Sequence, residues 1–484
     1  MSPKKIREGT LTSTVLVKSY IERAQEVNYL INAVVIDNYE EATKKAAEVD
    51  FYISSLDKES EEYLSLAIKK PLLGIPFTIK CSIKVLGFKA TSGITARNNL
   101  PPITEDENQG VRRWIDAGGI ILSQTNVPEC CMWIEGHNSL YGMCNNPYDT
   151  RKTPGGSSSG EGAIISSAGS LFGLGSDIAG SIRVPSIFCG VFGYKPSPNV
   201  ICGTGHVPEC KEGDELLRMA YLGPLARYST DLALIVKIYC SQEEREYLKL
   251  DREVDYHSLK FYFIKDFGFL NAEPVQKDCL DGLNAVIEML HNDNFQTTQV
   301  VFDLLQHSNE YWQASIQTYT EDSFKNIWGY MGNFDEKNAV VPGKELFKYF
   351  TGQGTEHDLG VMLWGFEMEI VRRLKGDKIK EYFDDKERLS KHICQLLNDD
   401  GVLIIPAWPT AAPFHHQLKW NRLNIIYTAV FNALELPVVV VPVHLNKVGM
   451  PIAVQIIAAK NNDRILFKVA QEIEKKLGGW REPL

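Results

Sequence analysis

Apolar residues in this chain follow two different periods. Five short runs are almost continuously apolar and are bounded by glycine or proline, as expected for strands covered on both faces. These runs are PLLGIPFTIK (71–80), GIILSQT (119–125), GVLIIPAWPT (401–410), LPVVVVPVHL (436–445) and MPIAVQIIAA (450–459). Between the first two, VRRWIDAGG (111–119) indicates a helix that ends at a pair of glycines. This alternation of strands and helices predicts an α/β fold.

Helical periodicity marks both ends of the chain. An amphipathic N-terminal helix is predicted from the spacing of Val17, Tyr20, Ile21, Ala24 and Val27. The same spacing predicts a last helix at Leu466, Val469, Ala470, Ile473 and Leu477. Asp463 is the expected start signal of this last helix, and Gly478–Gly479 is the stop signal.

The middle of the chain, from about 240 to 395, has a different texture. It contains charged, aromatic-rich stretches such as NEYWQASIQTYTEDSFKNIWGYMGNF (309–334) and DLGVMLWGFEMEIVRRL (358–374). Strand-like runs lie on both sides of this region. We therefore expect a single domain over 1–484, in which the middle region is a helical insert or decoration.

Composition is that of an ordinary globular protein. The 484 residues are 44% hydrophobic and 23% charged, which is enough for a large core. The net charge of −10 argues against nucleic-acid binding, because that requires a basic face. The ten cysteines include no C-x-x-C pair, which disfavours a zinc site or a disulfide framework and favours a reducing compartment.

No targeting or membrane-spanning segment is predicted. The N-terminal MSPKKIREGTLTST lacks the apolar core of a signal peptide, and no stretch of about 18 apolar residues occurs. We expect an intracellular protein that is either cytoplasmic or peripherally bound to a membrane, unless an N-terminal anchor has been lost.

One stretch of small and hydroxyl residues raises the question of a site, TPGGSSSGEG (153–162). Gly/Ser runs commonly form flexible linkers. Here the small residues continue into an apolar context, AIISSAGSLFGLGSDIAGSIR (163–183), which is not typical of a linker.

Three segments together resemble the amidase signature family of serine hydrolases. Lys80 ends GIPFTIK (74–80), Ser157 lies in PGGSSSG (154–160), and Ser181 lies in GSDIAGSIR (175–183). Further matches are TNVPE, NPYD, FCGVFGYKP, GPLAR and FNALELP, so the resemblance covers most of the chain outside the middle region. It implies a three-layer α/β/α fold with a large mixed central sheet, and no metal or cofactor.

The resemblance implies a nucleophile, a proton relay and a base. Ser181 would attack the amide carbonyl, Ser157 would take the proton of Ser181, and Lys80 would take the proton of Ser157. Lys80 must be neutral for this step, which requires burial to lower its pKa. The resemblance also implies a cis peptide between Gly156 and Ser157, and a supporting hydrogen bond from Ser158 to Ser181.

The segment around Ser181 is expected to bind the carbonyl oxygen of the substrate. The resemblance implies an oxyanion hole made by the backbone N–H groups of Ile178, Ala179, Gly180 and Ser181. Asp177 and Arg183 are expected to pair and hold this loop, and the alternative is that both are ordinary surface charges.

Two residues depart from the family pattern: Cys81, where many members have an acid, and Ala179, where fatty-acid amide hydrolases usually have glycine.

Within the family, GGSSSGEGA and GSDIAGSIRVPSIFCG look most like fatty-acid amide hydrolases, particularly the second animal type. This implies hydrolysis of long-chain acyl ethanolamides or primary amides through an acyl-enzyme. The alternatives are a hydrolase of small soluble amides, the A subunit of an amidotransferase, and an inactive relative that binds amides. The expected partner is a small-molecule or lipid amide, and the sequence leaves a lipid surface and a homodimer open.

Some residues allow two interpretations. Cys131, with Met132 and Trp133, either lines the acyl-binding channel or packs in the core. The aromatic residues of the middle region either line a lipid entrance or pack in the core: Tyr311, Trp312, Trp328, Tyr330 and Trp364.

Histidine-based sites are disfavoured. A Ser-His-Asp triad through His137 or His444 would need a G-x-S-x-G turn, which the sequence lacks. His415–His416 has no third metal ligand at suitable spacing, so a surface loop is the favoured interpretation there.

Overall fold

Eleven strands of the described residues form one central sheet. The computed structural model describes residues 3–105, 108–200, 204–209, 215–268, 272–319, 328–329, 331, 339–375 and 378–483. In chain order the strands are β1 (Val34–Asp37), β2 (Ile75–Lys80), β3 (Gly119–Thr125), β4 (His137–Asn138), β5 (Gly142–Met143), β6 (Phe172–Asp177), β7 (Phe192–Lys195), β8 (Tyr221–Ala226), β9 (Lys260–Phe263), β10 (Thr297–Gln299), β11 (Gly401–Pro406), β12 (Val438–Leu445) and β13 (Pro451–Ile457). The strand order in the sheet is β1-β3-β2-β6-β8-β7-β12-β13-β11-β9-β10, and β4 and β5 form a separate hairpin.

The sheet is mixed. The groups β3-β2-β6 and β10-β9-β11 are parallel, and the other neighbours are antiparallel. In the register of β2 and β6, Thr78 lies opposite Gly173 and Ile79 opposite Leu174. The carboxyl ends of these two strands therefore meet at one edge of the sheet.

Helices pack on both sides of the sheet, which confirms the predicted fold class. They are α1 (Pro3–Arg7), α2 (Ser13–Ile31), α3 (Tyr39–Ser55), α4 (Glu61–Lys69), α5 (Gln109–Asp116), α6 (Ser159–Ser166), α7 (Arg183–Cys189), α8 (Ser229–Tyr239), α9 (Gln242–Tyr247), α10 (Lys277–Asn292), α11 (Ser308–Tyr319), α12 (Pro342–Thr351), α13 (Leu359–Lys375), α14 (Ile379–Leu397), α15 (Ile426–Ala433) and α16 (Arg464–Leu477). No helix in these described ranges combines the length and the apolar character needed to cross a bilayer.

The valine run of β12 explains why a continuous apolar segment indicates a doubly covered strand. Val439 and Val441 lie in a core shared with α5, α8, α10 and α16. Val438 and Val440 lie in the opposite core, with α7, α11, α14 and α15. Successive side chains of a strand point to opposite faces, so both faces of β12 are apolar.

Both terminal helices form as predicted, with one difference. Gly478 ends α16 in the left-handed conformation, with φ 96°. Asp463 lies at the start of α16 but makes no capping hydrogen bond, because its carboxylate accepts from Tyr194 and Ser197. The region 240–395 is not purely helical either, since it contributes β9 and β10 to the sheet.

Candidate active site

The predicted active-site segments meet at the shared edge of β2 and β6. Lys80 is the last residue of β2, and Ser181 follows β6 after a tight turn. Ser157 lies in the loop that leads into α6. The backbone N–H of Ser158 donates to the carbonyl of Ser181 at 3.0 Å and joins the two loops.

Lys80 is fully buried and contacts two serines. Its Nζ lies 2.6 Å from Ser157 Oγ and 2.8 Å from Ser176 Oγ. Burial lowers the pKa of Lys80, because a buried ammonium group loses its hydration. The arrangement therefore favours a neutral amine that can accept a proton from Ser157.

The two predicted reactive serines differ in exposure. Ser157 follows a cis peptide and is buried, whereas Ser181 is 9% exposed and lines a pocket. Among the hydrogen bonds of the described residues, none joins the hydroxyls of Ser157 and Ser181. Contacts of this kind often close only in the complex with substrate.

The side chain of Ser158 has a different partner from the one predicted. Its Oγ accepts from the backbone N–H of Ser176 at 3.3 Å. The hydrogen bond from Ser158 to Ser181 is made by the backbone instead.

Asp177 and Arg183 hold the turn that carries Ser181. Nε and Nη2 of Arg183 donate to the two carboxylate oxygens of Asp177, each at 3.0 Å, and both side chains are fully buried. Burial would raise the pKa of Asp177, but the guanidinium outweighs it and lowers that pKa to about 2. Arg183 also donates to the carbonyl of Thr428 at 2.8 Å, which fixes the turn against α15.

One predicted donor of the oxyanion hole already has a partner in the structure. The N–H of Gly180 donates to Asp177 Oδ1 at 2.7 Å, so this group is not available to a substrate oxygen. Gly180 has φ +128°, and a Cβ there would lie 2.2 Å from Thr428 Oγ1, so its role is to let the turn pack closely. The N–H groups of Ile178, Ala179 and Ser181 make no hydrogen bond within the described ranges, and all three residues line the pocket.

The pocket beside Ser181 is mainly apolar. It encloses about 1060 Å³, including its open mouth. Its walls come from the loop 131–134 and from α11, α13 and α15, and they include Met132, Trp133, Trp312, Ile316, Trp364 and Met368. Trp312 Nε1 donates to the carbonyl of Ile178 at 2.9 Å, which ties α11 to the turn of Ser181.

The structure separates the two interpretations of the aromatic residues. Trp312 and Trp364 line the pocket, and their ring centroids are 6.4 Å apart. Tyr311 is fully buried in a core cluster, and Trp328 packs against another cluster. Tyr330 lies outside the described residues.

Cys131 also lines the pocket, close to the buried lysine. Its Sγ lies 3.4 Å from Ser92 Oγ, in a turn where Cys130 and Cys131 both have positive φ. Burial opposes ionisation of this thiol, but the ammonium form of Lys80 and the hydrogen bond from His206 outweigh that effect and lower its pKa to about 6. A neutral Lys80 withdraws the larger of these two effects. Cys131 therefore places a thiol in the wall of the pocket beside Lys80.

Alkylation tests this placement of Cys131. Iodoacetamide at neutral pH is expected to modify Cys131 roughly tenfold faster than Cys81 or Cys130, because Cys131 lines the pocket whereas the other two thiols are buried. Burial raises the pKa of Cys81 to about 12 and that of Cys130 well above its usual value, so both should stay unmodified. Peptide mapping by mass spectrometry measures the three rates.

The alkylated protein should also lose the ability of its pocket to admit an amide substrate. The control is Cys131→Ala, which should keep its activity through the same treatment. Equal inhibition of wild type and this variant would contradict the placement of Cys131 in the substrate pocket.

Comparison with known proteins identifies the family. A family model described as Amidase matches residues 15–467. The chain belongs to the amidase family. This amidase is 35% identical to fatty-acid amide hydrolase 2-A of Danio rerio and to fatty-acid amide hydrolase 2 of Homo sapiens, in each case over 99% of this chain and 88% of the relative. Its fold matches the structure of 6-aminohexanoate cyclic dimer hydrolase with a TM-score of 0.78 and 20% identity, over 99% and 97% of the two chains.

Two polar groups of the amidase site were missed by sequence reasoning. Ser176 Oγ accepts from Lys80, and His206 Nε2 lies 2.9 Å from Ser176 Oγ. Ser176 could have been found from its motif, because it directly precedes Asp177, the last residue of β6. His206 has no such signal, since it lies in a short loop far along the chain.

Glu161 is a third group of this amidase that sequence reasoning used only as a subgroup marker. It is fully buried and accepts from Thr78 Oγ1 at 2.7 Å and Thr125 Oγ1 at 2.8 Å. Burial raises the pKa of Glu161 to about 7. It joins β2, β3 and α6 beneath the site.

The disfavoured histidines of this amidase serve other contacts. His137 Nδ1 lies 2.6 Å from Asp358 Oδ2, at the start of α13. His415 Nε2 contacts the carbonyl of Thr150 at 3.2 Å. The described part of the chain contains no group of three or more histidine, cysteine or acidic side chains placed to hold a metal.

Proposed function

We propose that this amidase hydrolyses long-chain fatty acid amides, such as acyl ethanolamides or primary amides, to the free acid and an amine. The observation that carries the proposal is the apolar pocket that contains Ser181. An acyl chain placed there would contact tryptophan, isoleucine and methionine side chains. The two 35%-identical relatives are named fatty-acid amide hydrolases, which supports the same substrate class.

In the proposed acylation step, Ser181 Oγ forms a bond to the amide carbon. Its proton passes to Ser157 Oγ while the Ser157 proton passes to Lys80 Nζ. The C–N bond then breaks, and the proton returns along the same path to the leaving amine. A water molecule hydrolyses the acyl-enzyme by the reverse use of the same groups.

The developing oxyanion needs fixed donors. We assign this role to the free N–H groups of Ile178, Ala179 and Ser181, which line the same pocket. The buried Asp177–Arg183 pair supports the proposal, because it fixes the turn before the substrate arrives.

Chain-length dependence tests the substrate class. The purified protein is given saturated amides from acetamide to long-chain acyl ethanolamides, and release of acid is measured. Each buried CH₂ contributes about 0.8 kcal/mol, so kcat/KM should rise about fourfold per methylene until the pocket is full. Met368→Trp, which narrows the pocket, should depress turnover of the longest chains and spare acetamide.

The alternatives give different outcomes in this panel. Efficient turnover of acetamide without a gain from longer chains would make the protein a hydrolase of small soluble amides. Binding of amides without release of any acid would make it an inactive relative.

Delivery of a long-chain amide requires contact with a lipid surface, because such substrates are nearly insoluble in water. We propose that an apolar patch on α12 and α13, formed by Phe347, Phe350, Leu363 and Phe366, makes this contact. Phe347 is 62% exposed and Phe350 is 72% exposed. The patch lies beside the pocket, since Trp364 and Met368 of α13 line the pocket wall. Binding of this kind is peripheral and scales with the apolar area buried.

A double substitution tests the apolar patch. Phe347→Ser with Phe350→Ser should weaken binding to phosphatidylcholine vesicles and lower long-chain turnover about tenfold or more, because two aromatic anchors are lost. Turnover of short soluble amides should not change. Vesicle sedimentation and acid release measure the two effects.

A matched control is Phe51→Ser on α3, where the side chain is 75% exposed but lies outside the patch. This variant should bind vesicles as wild type does. Equal loss of long-chain and short-chain turnover in the double variant would mean that the two phenylalanines support the fold and not lipid binding.

A further inference from the structure

His206 contacts Ser176, which is the second serine partner of Lys80. Its loop pairs with the residues that follow β2: Lys84 N–H donates to the carbonyl of Gly205 at 2.7 Å, and Val207 N–H donates to that of Ser82 at 2.8 Å. This short ladder places His206 Nε2 at 2.9 Å from Ser176 Oγ and 3.0 Å from Ser82 Oγ.

The other ring nitrogen fixes which atom of His206 carries the hydrogen. Nδ1 lies 3.3 Å from the carbonyl oxygen of Pro208, which can only accept, so Nδ1 is the donor. In the neutral ring Nε2 is then an acceptor. The Ser176 hydroxyl has one hydrogen, and when it donates to Nε2 its oxygen is left to accept from Lys80.

This sets a direction for the whole chain of hydrogen bonds. A neutral lysine amine has two hydrogens and one lone pair. If one N–H of Lys80 points to Ser176, the lone pair is left for the hydroxyl of Ser157, at 2.6 Å. One N–H and the lone pair of Lys80 then remain on the side of Ser157, and the lone pair can accept the hydroxyl proton of Ser157.

We propose that His206 is a positioning residue that acts through Ser176 to orient Lys80 as the proton acceptor of Ser157. The proposal rests on the proposed roles of Ser181, Ser157 and Lys80. Protonation of His206 puts a hydrogen on Nε2, which then donates to a serine oxygen. The Ser176 hydroxyl no longer donates to His206 and can instead donate to the lone pair of Lys80. The lone pair is then occupied, and Lys80 cannot accept the proton of Ser157.

Other charged or titratable groups surround the ring. Lys80 faces it through Ser176, and Cys131 lies close enough for His206 to lower its pKa. The Lys84–Glu209 ion pair lies on the two segments of the short ladder, and Asp177 follows Ser176 on β6. The test therefore includes a background that lacks the Cys131 thiol.

The test measures the rate at which a fluorophosphonate probe labels Ser181 in the full chain, from about pH 5 to about pH 9, where histidine changes charge. His206→Ala removes the acceptor and should slow labelling roughly tenfold at the alkaline end, the scale of one lost hydrogen bond. His206→Gln supplies a carboxamide oxygen near the position of Nε2 and should stay within about threefold of wild type there.

The pH profile distinguishes positioning from a structural role. The glutamine side chain gains no proton at acid pH, so the ratio of the His206→Gln rate to the wild-type rate should rise as pH falls. The same comparison in a Cys131→Ala background should give the same rise. His206→Ala combined with Ser176→Ala should lose little more than either alone, because both act on one path.

Each outcome has one meaning. The assignment of His206 is overturned if the ratio of the His206→Gln rate to the wild-type rate is constant across the pH range. It is also overturned if His206→Gln is as slow as His206→Ala at every pH. Absence of labelling in wild type, or labelling that persists in Ser181→Ala, overturns the proposed function itself.

Discussion

Replacing Ser181 by alanine is expected to abolish covalent labelling by a fluorophosphonate probe and to slow amide hydrolysis by about six orders of magnitude. The loss is this large because Ser181 is the proposed nucleophile, and without it the proposed acyl-enzyme cannot form. Ser157→Ala should slow labelling about 10²–10⁴-fold without abolishing it, since the nucleophile remains and only the proton relay is lost. Gel fluorescence and acid release measure both effects.

The third serine of the same run provides the matched control. Ser159 begins α6, and its Oγ is buried without a hydrogen-bond partner within the described residues. Ser159→Ala should therefore label and hydrolyse as wild type does. Persistent labelling of Ser181→Ala would mean that the nucleophile is another residue. If Ser159→Ala is as slow as Ser157→Ala, the substitutions damage the loop and not the proton relay.

The sheet was predictable where its strands are long and buried on both faces. The runs that form β2, β3, β11, β12 and β13 are continuous and bounded by glycine or proline, so the pattern identifies each of them. β9 and β10 were not predicted because they are short strands with exposed positions at one end of the sheet, set among helices of mixed character. Three or four residues carry too little periodicity to be separated from a helix end.

The candidate site was predictable where a contiguous motif carries it. Lys80, Ser157 and Ser181 each lie in a contiguous motif that resembles the amidase signature, and the structure brings the three segments to one edge of the sheet. The motif around Ser181 does not reveal which way each peptide points, so the use of the Gly180 N–H by Asp177 could not be foreseen.

His206 illustrates the second limit of the sequence. Its contact with Ser82 spans 124 positions, and no residue next to it in sequence indicates a site. Only the pairing of its loop with the residues after β2 brings the ring to Ser176. The same applies to Glu161, whose partners Thr78 and Thr125 belong to two different strands.

Cys81, one of the departures from the family pattern, fits the neutral state of Lys80. Its thiol is fully buried, and burial raises its pKa to about 12, so it adds no negative charge beside the lysine near neutral pH. A carboxylate at this position would favour the ammonium form. Ala179 lines the pocket with its N–H free, so the added methyl group leaves this predicted donor in place.

Replacing Lys80 by methionine is expected to slow labelling of Ser181 about 10²–10⁴-fold, because Lys80 is the hydrogen-bond partner of Ser157 Oγ in the described part of the chain. The effect should be measured at several pH values. Wild-type labelling should fall as pH drops below the lowered pKa of Lys80, since the ammonium form cannot accept a proton. The methionine variant should lack this dependence.

The same substitution makes a prediction about stability whose sign follows from the pKa of Lys80. Burial lowers that pKa in the folded protein, while the unfolded chain keeps a lysine of pKa about 10.4. Between the two values unfolding takes up a proton, so the free energy of unfolding of wild type rises with pH. Lys80→Met lacks this term, and its stability relative to wild type should decrease steadily as pH rises toward 10.4. Urea denaturation at several pH values measures the difference. If the difference in the free energy of unfolding between Lys80→Met and wild type does not depend on pH, folding does not lower the pKa of Lys80. Near-normal turnover of Lys80→Met would mean that another group is the base.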